Sequence, residues 1–292
     1  MTKEHAPGGD SVVVRYWGTR GSIPSPGPET VVFGGNTPCV EVQAGGSRWI
    51  LDSGTGIRNL GAELKAKGEV VKATVLLSHY HWDHIQGLPF FSPVYSEGTE
   101  LRVFGPAEYG YGVREMLEQL MGRPNFPVDC DHVQAEVTPI ELTSPSFECE
   151  GAEVSTYRMR HGSATFGFRL DVGGRSVCYV PDNELVGGSY GADPGWRAGL
   201  EEFIGDADLL IHDAMFVAEE YERVEGWGHS TVEHAIELAQ SSGVKRLVLF
   251  HHAPDRSDST LIDIVSEARR RLARGGTRLK VWAAREGETD VL

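Results

Sequence analysis

Positive charge, cysteine and long apolar runs are all scarce in this chain. Lysine and arginine number 27 against 42 aspartates and glutamates, a formal charge of −15. A surface of that sign repels a phosphate backbone at long range and disfavours a scaffold for duplex DNA or RNA. A small anionic ligand held by cations is not excluded. Cysteine occurs four times, at Cys39, Cys130, Cys149 and Cys178, with no C-x-x-C pair. That is no disulfide framework, and reduced, mostly buried thiols are expected. No apolar run nears the ~18 residues that span a bilayer. Residues Met1–Ser11 carry Pro7, Gly8 and Gly9 and lack the apolar core of a signal peptide. They read as a mobile tail, and the protein as cytoplasmic with no membrane partner.

What remains is ordinary globular material. Hydrophobic residues are 40% and charged residues 24% of the 292, near the usual averages. Short β-branched or apolar runs at Ser11–Trp17, Cys39–Ala44 and Ser47–Asp52 predict strands joined by Gly-rich turns. Ile57–Lys67 has helical spacing and Gly68 as its stop. Ala73–Ser78 is continuously apolar, the mark of a strand buried on both faces. Further strands are expected at Glu100–Phe104, Ala152–Met159, Thr165–Val172, Ser176–Val180, Ala207–Asp213 and Arg246–Phe250. Ser230-Thr-Val-Glu233 has capping-box spacing and predicts a helix to about Ser242. Asp258 or Ser259 caps another that ends at Gly275–Gly276. Residues 92–147 are less regular and read as a lid or insert. Strands first and β/α units later predict an α/β (α+β) protein, sheets with helices outside, as one large domain from 12 to 292.

The chemistry concentrates in Ser78-His79-Tyr80-His81-Trp82-Asp83-His84, directly after the doubly buried strand. His79 and His81 at i, i+2 aim two imidazoles at one cation, and Asp83 and His84 then face a second. Imidazole and carboxylate suit Zn2+, Mn2+ or Fe, and the lack of thiolates argues against a purely structural zinc site.

H-x-H-x-D-H after such a strand, preceded by Asp52-Ser-Gly-Thr-Gly56, resembles the metallo-β-lactamase-fold hydrolases. Within them the chain is most similar to the phosphodiesterase and tRNase Z-like branch, which includes cyclic-nucleotide phosphodiesterases. The likeness runs from Trp17-Gly-Thr-Arg-Gly-Ser22 to His251-His-Ala-Pro254. It implies a four-layer αβ/βα sandwich of two mixed sheets packed face to face.

The resemblance also implies the remaining ligands. His161 would complete the first metal position with His79 and His81. Asp182, in Tyr179-Val-Pro-Asp182, would bridge both ions. His251 would join Asp83 and His84 on the second, and its spacing to Pro254 favours it over His252. His229, in Gly-His-Ser-Thr, would face the substrate phosphate as a general acid. His229 and Asp83 are thus the candidate catalytic residues. Asp52 is expected to orient a ligand histidine from behind, and His212-Asp213 either does likewise or packs structurally. The implied cofactors are two divalent ions, Zn2+ first and Mn2+ or Fe as alternatives, with an activated water between them. His5, His132 and His234 have no ligand partners in sequence. Arg269–Arg271 with Arg274 reads as a solvated helix face. Trp82, Phe90, Phe91, Phe126 and Trp227 lie near the motifs, as base-stacking rings or as packing.

Substrate class follows from departures. A Cys does not replace Asp182, which argues against a β-lactamase. His161 and Asp182 are only 21 residues apart, so no tRNA-gripping arm fits between them. A small phosphodiester such as a cyclic nucleotide is therefore expected. A tRNase Z-like endonuclease and a metal-binding sensor with little turnover are the alternatives. A homodimer would fit the family.

Overall fold

The computed structural model describes residues 11–127, 132–187 and 194–292. His5, Cys130 and the expected tail up to Asp10 lie outside them. Among the described residues the strands form two seven-stranded sheets. The first runs β1 (Val13–Gly18), β2 (Cys39–Ala44), β3 (Ser47–Leu51), β4 (Lys72–Leu76), β5 (Glu100–Gly105) and β6 (Glu136–Glu141) in spatial order. The second begins with β7 (Ser146–Cys149), β8 (Ala152–Arg158), β9 (Phe166–Val172) and β10 (Arg175–Val180). It continues with β11 (Leu209–Asp213), β12 (Arg246–Phe250) and β13 (Lys280–Ala283). The last strand, β14 (Thr289–Val291), returns to the first sheet and pairs antiparallel with β1.

Seven helices connect the strands among the described residues. They are α1 (Ile57–Lys67), the single turn α2 (Trp82–Ile85) and α3 (Val113–Leu120), then α4 (Pro194–Phe203), α5 (Ala218–Val224), α6 (Val232–Ser241) and α7 (Asp258–Arg274).

Three apolar clusters hold four layers together. Tyr16, Val42, Trp49, Leu51, Phe168, Tyr179, Ile211 and Phe250 fill the space between the sheets. Ile57, Leu60, Leu64, Val113 and Met116 cover the first sheet from outside, over Val75, Leu77 and Val103. Leu200, Ala235, Leu238, Leu261 and Val265 cover the second. A central strand therefore feeds two clusters. In β10, Val177 and Tyr179 face the other sheet, while Cys178 and Val180 face the helices. This is why its sequence reads as a continuous apolar run rather than an alternating one. Fully burying each such side chain is worth about 1.5–3 kcal/mol. The result is the expected four-layer αβ/βα sandwich. Cys39, Cys149 and Cys178 are buried free thiols.

Helix α1 has the predicted bounds, and Gly68 closes it at φ 68° with its N–H on the Leu64 and Lys65 carbonyls. Two caps differ from expectation by one residue. Thr231, not Ser230, caps α6 by accepting from the His234 N–H at 3.1 Å. Ser230 instead donates its hydroxyl to the Asn183 carbonyl, and Glu233 turns to the Ala218 N–H. Ser257 caps α7. The Asp258 carboxylate is taken by the Val32 and Phe33 N–H groups. In both cases a tertiary contact outbids the local bond. Residues 92–147, expected to be irregular, contribute β5 and β6 to the first sheet by parallel pairing and α3 to its outer face.

Candidate metal centre

Strand registers bring the chemistry to one edge. β3, β4 and β5 are parallel, as are β10, β11 and β12, so their carboxyl ends align. Such ends leave the following loops free of the ladder and are where open α/β sheets bind ligands. Asp52 follows β3, His79–His84 follow β4, and His161 follows β8. Asp182 follows β10, Asp213 ends β11 and His251 follows β12.

Two groups that could hold a metal ion result. The polar atoms of His79, His81, His161 and Asp182 lie within 4.8 Å of one another, as do those of Asp83, His84, Asp182 and His251. Asp182 belongs to both. Its Oδ2 is 3.6 Å from His79 Nε2 and 3.5 Å from His161 Nε2. Its Oδ1 is 3.1 Å from both His84 Nε2 and His251 Nε2. Asp83 Oδ2 stands 3.2 Å from the same two nitrogens, and His161 Nε2 is 3.1 Å from His81 Nδ1. Ligands of a tetrahedral ion bound at roughly 2.0–2.1 Å are about 3.3 Å apart. The spacing suits divalent cations. His79 Nε2, His84 Nε2 and Asp182 Oδ1 are buried without hydrogen-bond partners, which proteins avoid unless something else fills the lone pairs.

The far sides of three of the rings are occupied. His84 Nδ1 meets Asp52 Oδ2 at 2.7 Å. Asp52 also accepts from the Ser78 N–H and hydroxyl and the Tyr179 hydroxyl. His79 Nδ1 lies 3.0 Å from Ser78 Oγ, and His161 Nδ1 is 3.0 Å from the Gly228 carbonyl. Such bonds set which ring nitrogen is free to ligate. Burial alone would raise the Asp182 carboxyl, yet His251 and His84 hold it well below the usual carboxylate range. Asp83 behaves likewise against His84 and His251. Burial pushes His161 down to about 4.

His229 is nearly buried beside both groups, its ring stacked 5.0 Å from His251 and tilted 5.3 Å from His161. Its Nδ1 lies 2.9 Å from Asp213 Oδ2. Burial opposes its charge, but the Asp213 carboxylate outweighs that and raises His229 to about 9. Asp213, His229 and His251 could form a third ligand group. However, the Asp213 oxygens are already filled by His229 and the Ser230, Asn183 and Met215 N–H groups.

Other predicted residues separate cleanly. His252 turns away and bonds the Ala284 carbonyl. His212 is buried against the Asp213 carbonyl. His132 is exposed, and His234 packs edge-on against Tyr221. Arg270 and Arg271 pair with Glu267, and Arg269 bonds the Val281 carbonyl. Phe91 is core, Phe126 packs on Phe90, and Trp82, Phe90 and Trp227 are exposed.

Three residues of the Trp17–Ser22 motif, to which sequence reasoning assigned no role, build the site. Ser22 donates its N–H to Asp83 Oδ2 at 2.8 Å. A Cβ on Gly21 would sit 2.5 Å from His251 Nδ1, so only glycine lets that ring approach. Arg20 is buried and bonds the Gly34, Ala253 and Arg256 carbonyls, tying this loop to the one after His251.

Residues 48–252 match the family described as the beta-lactamase superfamily domain. The chain belongs to this superfamily. Family membership agrees with the metallo-β-lactamase fold drawn from the sequence. A ribonuclease Z of Bacillus cereus is 24% identical over 301 residues, covering 87% of this chain and 92% of that protein. The metallo-beta-lactamase fold protein YhfI from Bacillus subtilis superposes with a TM-score of 0.68 at 20% identity, covering 97% of this chain and all of the other. A diphosphatase of the PhnP family gives 0.65 at 16% identity over 96% and 97% of the two chains. Superfamily and cluster together mark a hydrolase fold with a site for divalent metal ions. Among the described residues no helix is long and apolar enough to cross a membrane.

Proposed function

We propose that the chain is a binuclear metal-dependent phosphodiesterase acting on a small substrate, a cyclic nucleotide in the first instance. The observation that carries this reading is the split of Asp182, whose two oxygens address different pairs of imidazoles. His79, His81 and His161 would hold one ion, and Asp83, His84 and His251 the other, with Zn2+ favoured by the nitrogen-rich set. Bound ions would supply an activated water and positive charge for the phosphoryl oxygens. The chain's own groups do the rest. Asp52 and the Gly228 carbonyl orient His84 and His161. Asp213 favours the protonated form of His229, which could donate to the leaving oxygen as it departs. Asp83, pinned by Ser22, borders the same space.

Substrate size rests on the hairpin that separates the two halves of the first group. β9 and β10 pair closely and turn at Gly173–Gly174, which leaves no room for an RNA-gripping arm between His161 and Asp182. With −15 overall, only the phosphate at the centre would be neutralised. A second reading, an RNA endonuclease, is favoured by the relatives named ribonuclease Z, which the chain matches over nearly their full length.

The test is turnover of 3′,5′-cyclic mononucleotides and of precursor tRNA across a salt series, with Zn2+ or Mn2+ supplied. A protein contacting many phosphates loses ~10³–10⁵ in affinity between 50 and 200 mM salt, whereas a one-phosphate ligand changes little. Efficient, shallow-slope hydrolysis of the cyclic nucleotide is expected. Steeply salt-dependent tRNA cleavage without it would promote the endonuclease.

A further inference from the structure

The two residues after Asp182 spend their polar atoms on the loops that carry His161 and His229. Asn183 Oδ1 accepts from the Arg160 N–H at 3.0 Å, and its carbonyl accepts from the Ser230 hydroxyl. The Glu184 N–H donates to the Arg160 carbonyl at 2.8 Å. The Glu184 carboxylate is fully buried. Its Oε1 accepts from the Gly226 N–H at 2.8 Å and the Tyr221 hydroxyl at 2.7 Å, and its Oε2 from the Gly228 N–H at 2.9 Å. Among the described residues it forms no ion pair with lysine or arginine. A carboxylate without a cation is costly to bury unless donors fill its oxygens. Here two of the three donors are backbone amides of one loop.

We propose that Glu184 is the positioning residue of the centre. Its two oxygens grip Gly226 and Gly228 on either side of Trp227, at glycine φ values of 85° and 83°. The gripped loop then serves two groups at once. The Gly228 carbonyl fixes the His161 ring with Nε2 toward Asp182. The next residue, His229, is delivered to Asp213. Glutamine cannot reproduce this, because its NH2 would face an amide N–H where an acceptor is needed. Glu184 thus couples a ligand to the proton donor through four residues of backbone.

The experiment uses the full chain with Glu184→Gln. Zinc affinity is read by competition with a chromogenic chelator, and a fall of about 10–100-fold is expected, the usual consequence of losing an outer partner of a ligand. Turnover is read with bis-p-nitrophenyl phosphate and with a dialkyl phosphodiester. The dialkyl ester should lose more kcat, since its alkoxide needs the proton, with KM little changed. This second arm rests on the proposed function. If zinc affinity falls while wild-type protein turns over neither ester, positioning of His161 stands and that reading fails. Wild-type zinc affinity together with an unchanged ratio of the two rates would overturn the proposal. Should the variant not fold, Tyr221→Phe removes one donor to Glu184 and should shift zinc affinity in the same direction by less. Hydrogen exchange of the wild type should then show protected amides at Gly226 and Gly228, and rapid exchange at both would overturn the clamp.

Discussion

His81 stands exposed at the rim of one ligand group, whereas Asp83, His84 and His251 of the other are all buried. The backbones differ as well. Ser22, Asp52 and His251, all serving the buried group, take φ values of 62°, 59° and 58°. Such left-handed conformations cost a non-glycine residue roughly 1 kcal/mol or more and persist only where surroundings over-determine them. Gly21 against the His251 ring and Asp52 with four partners supply that over-determination. The other group instead relies on the Ser78 hydroxyl behind His79 and one loop carbonyl behind His161. The contrast assigns a rigid frame to one group and the solvent-facing edge to the other.

Asp182→Ala should produce the largest effect, because its carboxylate serves both groups. Metal content by elemental analysis should fall from two equivalents, and activity should drop by more than the roughly 100-fold that an outer partner is worth. Circular dichroism should still show the folded sandwich, whose three apolar clusters need no ion. A variant that kept both equivalents would erase the distinction between frame and edge.

His229→Ala sharpens the comparison from the open side. Turnover should fall by about 10²–10⁴ with metal content unchanged. The loss should shrink for p-nitrophenolate, a leaving group that barely needs a proton. Metal loss in this variant would make His229 a ligand.

Asp52→Asn tests the frame most directly. It removes a charged acceptor behind His84, so affinity at the buried position should weaken by about 10–100-fold. The His79–His81–His161 position, which Asp52 reaches only through Ser78, should weaken by less. Equal weakening of both in a metal titration would show that the groups are not separately built.

The smallest effect on activity, though not on stability, comes from how dry the second sheet is. Burial pushes His212 down to about 4 and His252 down to about 3. Both are depressed below the ordinary 6.5, so the unfolded chain takes up these protons first. Stability from their neutral burial is complete above pH 6.5 and is lost as pH falls toward 4 and 3. The expected slope is about 1.4 kcal/mol per pH unit for each histidine. Urea unfolding across that window, with His252→Leu as comparison, should show a shallower slope in the variant.

Legibility in the sequence tracked distance along the chain. His79, His81, Asp83 and His84 were readable because one turn after one buried strand carries all four. Helix α1 was readable because its apolar spacing and Gly68 are local. The caps of α6 and α7 were misplaced by one residue, since Ser230 and Asp258 are drawn off by Asn183 and by Val32 and Phe33. Strand β6 went unread because its faces are only half-buried at the sheet edge, which leaves little alternation to see.

By itself the sequence determined the doubly buried strands, the α/β class and the chemistry of the His79–His84 segment, because periodicity and residue type are properties of short segments; the sandwich was implied by the resemblance. Only the tertiary structure decided which ring nitrogen faces inward, that His251 rather than His252 joins the cluster, and that Asp213 serves His229. It also recruited Ser22, Arg20 and Glu184, whose partners stand tens of residues away. Hydrogen bonds across such distances depend on strand register and on the meeting of two sheets, and no local pattern encodes either.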